Sequence, residues 1–299
     1  MSDFDDDIAT PLAADFTEAK ERELPNSQHV IFDLESGPAW HPGDSIDAAK
    51  AYCQPLGVDF DSDKWFEENP KPEPFDEDAV AFRLSKKGGG RLVNEDKIAE
   101  AVELAKSKHP TESEWEASAI CAEQTFWEAI IDNAALSPVT GRVLAIGTVY
   151  RGEIEIPIVD EPNNLRQFWR LFEATRGVSG KLIGWNIANF DVPFLVWRSA
   201  ALGVEIPRGV YRGKWLSDSF VDLMNYWPSM YSPWKGKSAW LGAKDAARFL
   251  GCSRPADEIE GKDFWRYFLG SEEERAKAIR YLENDVTEET IIAKALGVI

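Results

Sequence analysis

Asp33 and Glu35 stand two residues apart inside the apolar run H-V-I-F-D-L-E-S, Asp191 closes the segment G-W-N-I-A-N-F-D, and Tyr281 precedes Asp285 by four in Y-L-E-N-D. Carboxylates in apolar surroundings are expensive to bury as bare charges. A pair of divalent cations would offset that cost and bring a reaction with it. Mg²⁺ and Mn²⁺ favour hard oxygen ligands, so a cage of carboxylates is the donor set they call for. Each residue also has an ordinary reading. Asp191 fits a helix N-cap, Asp285 a solvated surface acid, and Tyr281 a core tyrosine with its hydroxyl exposed.

Their placement depends on the elements that carry them. A strand over His29–Ser36 puts Asp33 and Glu35 on one side and Phe32 and Leu34 on the other. A helix over about Glu272–Ala295 sets Tyr281 and Asp285 on one face, since residues four apart are neighbours there. Asp191 follows the strand Lys181–Trp185 and stands where the next helix begins. Between these, V-L-A-I-G-T-V-Y reads as a buried strand, E-I-E-I-P-I-V as a half-exposed one, and Asn164–Thr175 as a helix. A helix from about Glu114 to Asn133 uses Trp115, Ile120, Phe126, Trp127 and Ile130 for apolar contact, and a late one groups Leu241, Ala246, Ala247, Phe249 and Leu250. Strands first and helices alternating later imply an α/β architecture with a mixed sheet.

Residues 1–26 are acidic and polar and read as a flexible tail, leaving 27–299 as the folded domain. Residues 37–113 change character, with a proline- and acid-rich stretch, a K-K-G-G-G-R loop tip and a helical pattern after Asn94. So long a structureless loop is improbable, which makes this an inserted subdomain and a possible protein-docking surface. Trp40, Trp65 and Phe75, with Lys86, Lys87 and Arg91, offer a strand-guiding surface on it; a small aromatic core and an exposed basic loop is the plainer reading.

The 299 residues carry 33 basic and 52 acidic side chains, a formal net charge of −19. That balance argues against a high-affinity duplex binder, whose affinity comes from cations replacing counterions. It leaves room for an enzyme gripping a few nucleotides where bound metal adds local positive charge. Cys53, Cys121 and Cys252 are isolated, as are His29, His41 and His109, so neither a zinc site, a disulfide framework nor a histidine triad is expected. No run is long and apolar enough for a membrane span, and the acidic start lacks the basic region of a signal peptide, so a cytoplasmic location is expected.

The three segments resemble the three motifs of the DEDD superfamily of 3′–5′ exonucleases, in the branch with tyrosine in the third motif. G-W-N-I-A-N-F-D-V-P-F-L is very similar to the corresponding motif of the proofreading domain of family-B DNA polymerases. S-F-V-D-L-M, L-G-A-K-D-A-A-R-F-L-G and G-K-D-F-W-R-Y-F follow in the order of stand-alone predicted exonucleases related to that domain. The resemblance covers Val30–Ser36 and Ser137–Leu296, omitting the tail and the insertion.

The resemblance implies an RNase H-like fold, a central mixed sheet flanked by helices, and hydrolysis with two divalent cations, Mg²⁺ or Mn²⁺. It assigns Asp33, Glu35 and Asp285 to the ion carrying the attacking water, Asp33 and Asp191 to the second ion, and Tyr281 to orienting the water. Asn186, which matches an asparagine of the polymerase motif, and Leu34 and Phe190 are candidate contacts to the terminal nucleotides; strand-end hydrogen bonding for Asn186 and core packing for Leu34 and Phe190 are the plainer readings. The implied substrate is the 3′ end of single-stranded DNA, released as nucleoside 5′-monophosphates. An exoribonuclease, or a non-catalytic nucleic-acid-binding protein on the same fold, are the alternatives.

Overall fold

The computed structural model describes residues 28–40, 45–86, 95–227, 230–232, 237–239, 241–255 and 258–299. The tail over 1–26, Lys87 and Arg91 lie outside these, as does the side chain of Lys86. The described residues fall into two compact units, one from residues up to 43 together with those from 132 onward, the other spanning 44–131.

The first unit is built on a five-stranded sheet. In chain order its strands are β1 (Val30–Pro38), β2 (Gly141–Tyr150), β3 (Glu153–Glu155), β4 (Leu182–Gly184) and β5 (Phe220–Asp222), arranged β3-β2-β1-β4-β5. β2 pairs antiparallel with β1 and β3, while β4 runs parallel to β1 and β5, so the sheet is mixed. In the second unit the helices are α1 (Ile46–Cys53), α2 (Ser62–Glu68), α3 (Glu77–Lys86), α4 (Glu95–Ser107) and all but the last two residues of α5 (Glu112–Asn133). The first unit continues with α6 (Glu161–Gly177), α7 (Asp191–Ala201), α8 (Ala243–Phe249), α9 (Phe264–Leu269) and α10 (Glu272–Ala295).

β1 is central, and its alternation divides the core. Val30, Phe32 and Leu34 pack with Leu165, Phe168 and Phe172 of α6 and Phe194 and Leu195 of α7. Ile31 faces the opposite layer, with Ala246 and Ala247 of α8, Phe264 and Phe268 of α9, and Leu282 and Val286 of α10. Asp33 and Glu35 share the face of Ile31, so strand geometry turns both acids toward α10. Burying a side chain such as Phe32, which has no exposed surface, contributes about 1.5–3 kcal/mol.

Two local features bring α10 over the acids. Gly147 pairs with Asp33, and a Cβ there would stand 2.9 Å from Leu282 and 3.0 Å from Val286, so only glycine lets the helix approach this closely. The helix starts at a capping box: the Glu274 N–H donates to the Ser271 hydroxyl, and the Ser271 N–H donates to the Glu274 carboxylate. Such caps are worth about 1 kcal/mol and fix where the helix begins.

Some elements differ from the sequence-based expectation. β3 stops at Glu155, and all three of its residues are exposed. Its expected continuation meets Pro157, which has no N–H for the ladder. β5, three residues long, carries too short a pattern to be read as a strand in advance. Phe249 is 77% exposed, because Ala246 and Ala247 occupy the buried face of α8. Ile120 is likewise exposed, while Trp127 and Ile131 form the buried stripe of α5. Trp65 sits against Phe66 and Trp115, and Phe75 against His109, as the second unit's aromatic packing; Trp40 is buried in the first unit. Among the described residues no helix is long and apolar enough to cross a membrane.

Candidate active site

The three segments meet at one end of the sheet. Asp33, Glu35 and Asp285 each offer a carboxylate oxygen, and these oxygens lie within 4.8 Å of one another. The first two come from successive positions on the α10-facing side of β1, just before a register shift between Glu35 and Ser36. Such bulges re-aim a strand locally, and here the Ser36 hydroxyl turns away to donate to the Ala135 carbonyl at 2.6 Å.

Asp191, the first residue of α7, is 3% exposed and stands beside this trio, outside the 4.8 Å group. Its carboxylate accepts hydrogen bonds from its own backbone and from that of Leu34, and its charge acts on both Asp33 and Glu35. Tyr281, one turn before Asp285, is 4% exposed and lines the same cleft, of about 510 Å³, with Asp33, Glu35 and Asp285.

Burial dominates the electrostatics, with mutual repulsion added. It pushes Asp33 well above the usual carboxylate range, and the charges of Asp285 and Asp191 push it further. Glu35 is raised for the same reason, with Asp33 and Asp285 as the strongest like charges. Burial lifts Asp191 to about 7 against backbone hydrogen bonds that favour its charge. Asp285 is raised by burial too, but Arg254 opposes the effect. The Tyr281 hydroxyl holds its proton more tightly than a free tyrosine, through burial and then the charge of Asp285.

Two cations temper this field. The Arg254 guanidinium forms ion pairs with Asp285, with Glu288 at 2.6 Å and with Glu258 at 3.0 Å, and lies 5.4 Å from the centre of the Tyr281 ring. The Lys244 Nζ lies 4.3 Å from that ring on the cleft wall formed by α8. Several oxygens packed together, short of positive charge and reluctant to ionise, form a donor set suited to a hard divalent cation.

The strand-to-helix turn before Asp191 is held by acids that the motif reading did not single out. Asp222, the last residue of β5, accepts from the backbone N–H groups of Asn186 at 2.8 Å, Ala188 at 3.0 Å and Met224 at 3.0 Å. That grip holds Asn186 at φ 60°, a left-handed conformation that asparagine tolerates better than most residues. Glu289, one turn beyond Asp285, accepts from the Trp185 N–H at 3.1 Å.

The expected substrate contacts occupy different settings. Leu34 is 4% exposed and belongs to the core, yet it lines a second cleft of about 680 Å³ with Glu35, Phe190, Lys262 and Arg266. Phe190 packs on Phe194 with ring centres 5.6 Å apart. The Asn186 side chain accepts from Asn189 at 2.9 Å. Glu35 thus borders both clefts, the acidic one and this mixed one.

A mixed five-stranded sheet covered by helices on both faces, with acids gathered at one end of its central strand, defines an RNase H-like α/β protein. The family model for the RNase_H superfamily matches residues 131–296, more than half of the chain, and the chain belongs to that superfamily. Among solved structures the chain is similar to the family B DNA polymerase from the hyperthermophilic archaeon Pyrobaculum calidifontis, with 21% identity and a TM-score of 0.43. That similarity covers 55% of this chain and 23% of the polymerase chain. No curated protein matches the sequence.

Proposed function

We propose that the protein is a metal-dependent 3′–5′ exonuclease of the tyrosine branch, removing nucleoside 5′-monophosphates from the 3′ end of single-stranded DNA. The observation that carries this reading is the meeting of Asp33, Glu35 and Asp285 within 4.8 Å, in a cleft also lined by Tyr281. Membership of the RNase_H superfamily and the order of the three motifs support it.

Asp33, Glu35 and Asp285 would hold one divalent cation, and Asp33 with Asp191 a second. Bound there, the ions supply an acidified water and neutralise charge on the leaving oxygen. Tyr281 keeps its proton near neutral pH, so it acts as a hydrogen-bond donor that orients the attacking oxygen and not as a general base. Lys244 supplies positive charge on the cleft wall to hold the scissile phosphate. The cleft lined by Leu34 and Phe190 receives the terminal base, with Lys262 and Arg266 at its border. Water attacks the terminal phosphorus, the P–O3′ bond breaks, and the shortened strand leaves with a new 3′-hydroxyl. Matched DNA and RNA oligonucleotides, labelled at either end and incubated with Mg²⁺, Mn²⁺ or chelator, test direction and polymer together. Metal-dependent release of mononucleotides from the 3′ end of DNA is expected; internal cleavage would overturn the assignment.

A further inference from the structure

Glu289 has no role in the three-motif site, yet its surroundings are hard to explain without one. It lies on α10 one turn beyond Asp285 and is 3% exposed. Its Oε1 is committed to the Trp185 N–H at 3.1 Å, which fixes the carboxylate against the end of β4. Its Oε2 is buried and has no hydrogen-bond partner. A Cβ on Gly184 would stand 3.4 Å from that oxygen and 2.6 Å from the carbonyl of Phe32, the residue before Asp33, so Oε2 lies near the junction of β4 and β1. The residue lines the acidic cleft together with Asp33, Glu35 and Asp285. The strongest charges acting on it are those of Asp33, Asp191 and Asp285, all of its own sign.

A buried carboxylate oxygen without a partner costs on the order of 1–3 kcal/mol, more when charged. The nearby cations do not relieve it: Arg254 is engaged by Asp285, Glu288 and Glu258, and Lys244 lies over the Tyr281 ring. A purely structural role, bracing the Trp185 amide, needs one oxygen and would be met equally well by glutamine.

We propose that Glu289 is a fifth carboxylate of the cation-binding centre, its unpartnered Oε2 serving the ion assigned to Asp33 and Asp191. This rests on the two-cation reading given above. Oε2 contributes either as a ligand or as the acceptor for a water on the ion; in both cases the required property is a charge-bearing oxygen within electrostatic reach of Asp33 and Asp191. Glu289→Gln keeps an oxygen for the Trp185 N–H and removes the negative charge, so it separates the two roles.

The test is Mn²⁺ binding to the full-length protein without nucleic acid, by calorimetry and by the electron paramagnetic resonance signal of unbound ion. The wild type is expected to bind two ions. Glu289→Gln is expected to retain the tighter ion and to weaken the other by about tenfold or more, with a metal-free circular dichroism spectrum and melting temperature no worse than wild type. Two ions bound by the variant with unchanged affinity would overturn the proposal. So would loss of both ions together with lower metal-free stability, which marks a merely structural residue. If the wild type and Asp33→Asn alike bind no Mn²⁺, the cation centre itself is wrong, and this proposal falls with it.

Discussion

Replacing Asp191 by asparagine should make the metal-free protein more stable above neutral pH, although it removes a proposed metal ligand. Burial raises the Asp191 carboxyl from 3.8 to about 7, so the folded protein binds a proton here more tightly than the unfolded chain does. Stability must therefore fall as pH rises through the window from about 4 to about 7, because the native state holds the extra proton. A tenfold change in proton affinity is worth about 1.4 kcal/mol, so ionising Asp191 in the empty site costs at most roughly 4 kcal/mol. Asparagine keeps an oxygen for the backbone donors of Leu34 and Asp191 and carries no charge. Thermal melts in chelator at a series of pH values give the answer. Wild type and Asp191→Asn should be close near pH 4.5 and diverge toward pH 8.5, where the variant melts on the order of 10 °C higher. Saturating Mn²⁺ should then raise the wild-type melting temperature more than that of the variant. Parallel melting curves across the whole range would refute the claim that the empty site carries this electrostatic cost.

Tyr281→Phe should leave Mn²⁺ affinity within about twofold while slowing hydrolysis on the order of a hundredfold to a thousandfold, as expected when one preorganised donor is lost; calorimetry and single-turnover rates check both. Arg254→Met should lower metal-free stability by about 3–5 kcal/mol, since it leaves Asp285, Glu288 and Glu258 without their shared counter-charge. Denaturant titration in chelator measures this, and an unchanged midpoint would contradict it. Lys244→Ala should weaken binding of a single-stranded oligonucleotide and flatten its dependence on log salt by about 0.7, the share of one phosphate contact. Fluorescence anisotropy at several salt concentrations reads the slope.

The acids of the candidate site are legible in the chain as a group because their relations are local. Asp33 and Glu35 share a face through strand alternation, and Tyr281 and Asp285 through helical spacing, whatever the rest of the protein does. Asp191 was marked by its position between an apolar strand and an apolar helix. The supporting residues were not legible, since their partners are distant in sequence. Asp222 reaches the Asn186 and Ala188 amides across 36 and 34 residues, and Arg254 reaches Asp285 across 31. Glu289 sits in a Glu-Glu pair late in a charged helix, a pattern that ordinarily faces solvent. Its burial follows from how closely α10 approaches the sheet at Gly147, which spacing along the helix does not reveal. Phe249 shows the opposite case: the apolar pattern groups it with the core, but Ala246 and Ala247 take the buried face of the helix.

The central claim is that the acidic cleft removes nucleotides one at a time from a 3′ end with divalent cations. The most direct measurement follows a single-stranded DNA carrying a 5′ label, alongside the same strand with its 3′ end blocked, in Mn²⁺ and in chelator. The account predicts a ladder shortening from the free 3′ end only when metal is present, and no products with the blocked strand or with Asp33→Asn. Equal degradation of the blocked and free strands, or activity surviving in Asp33→Asn, would contradict it.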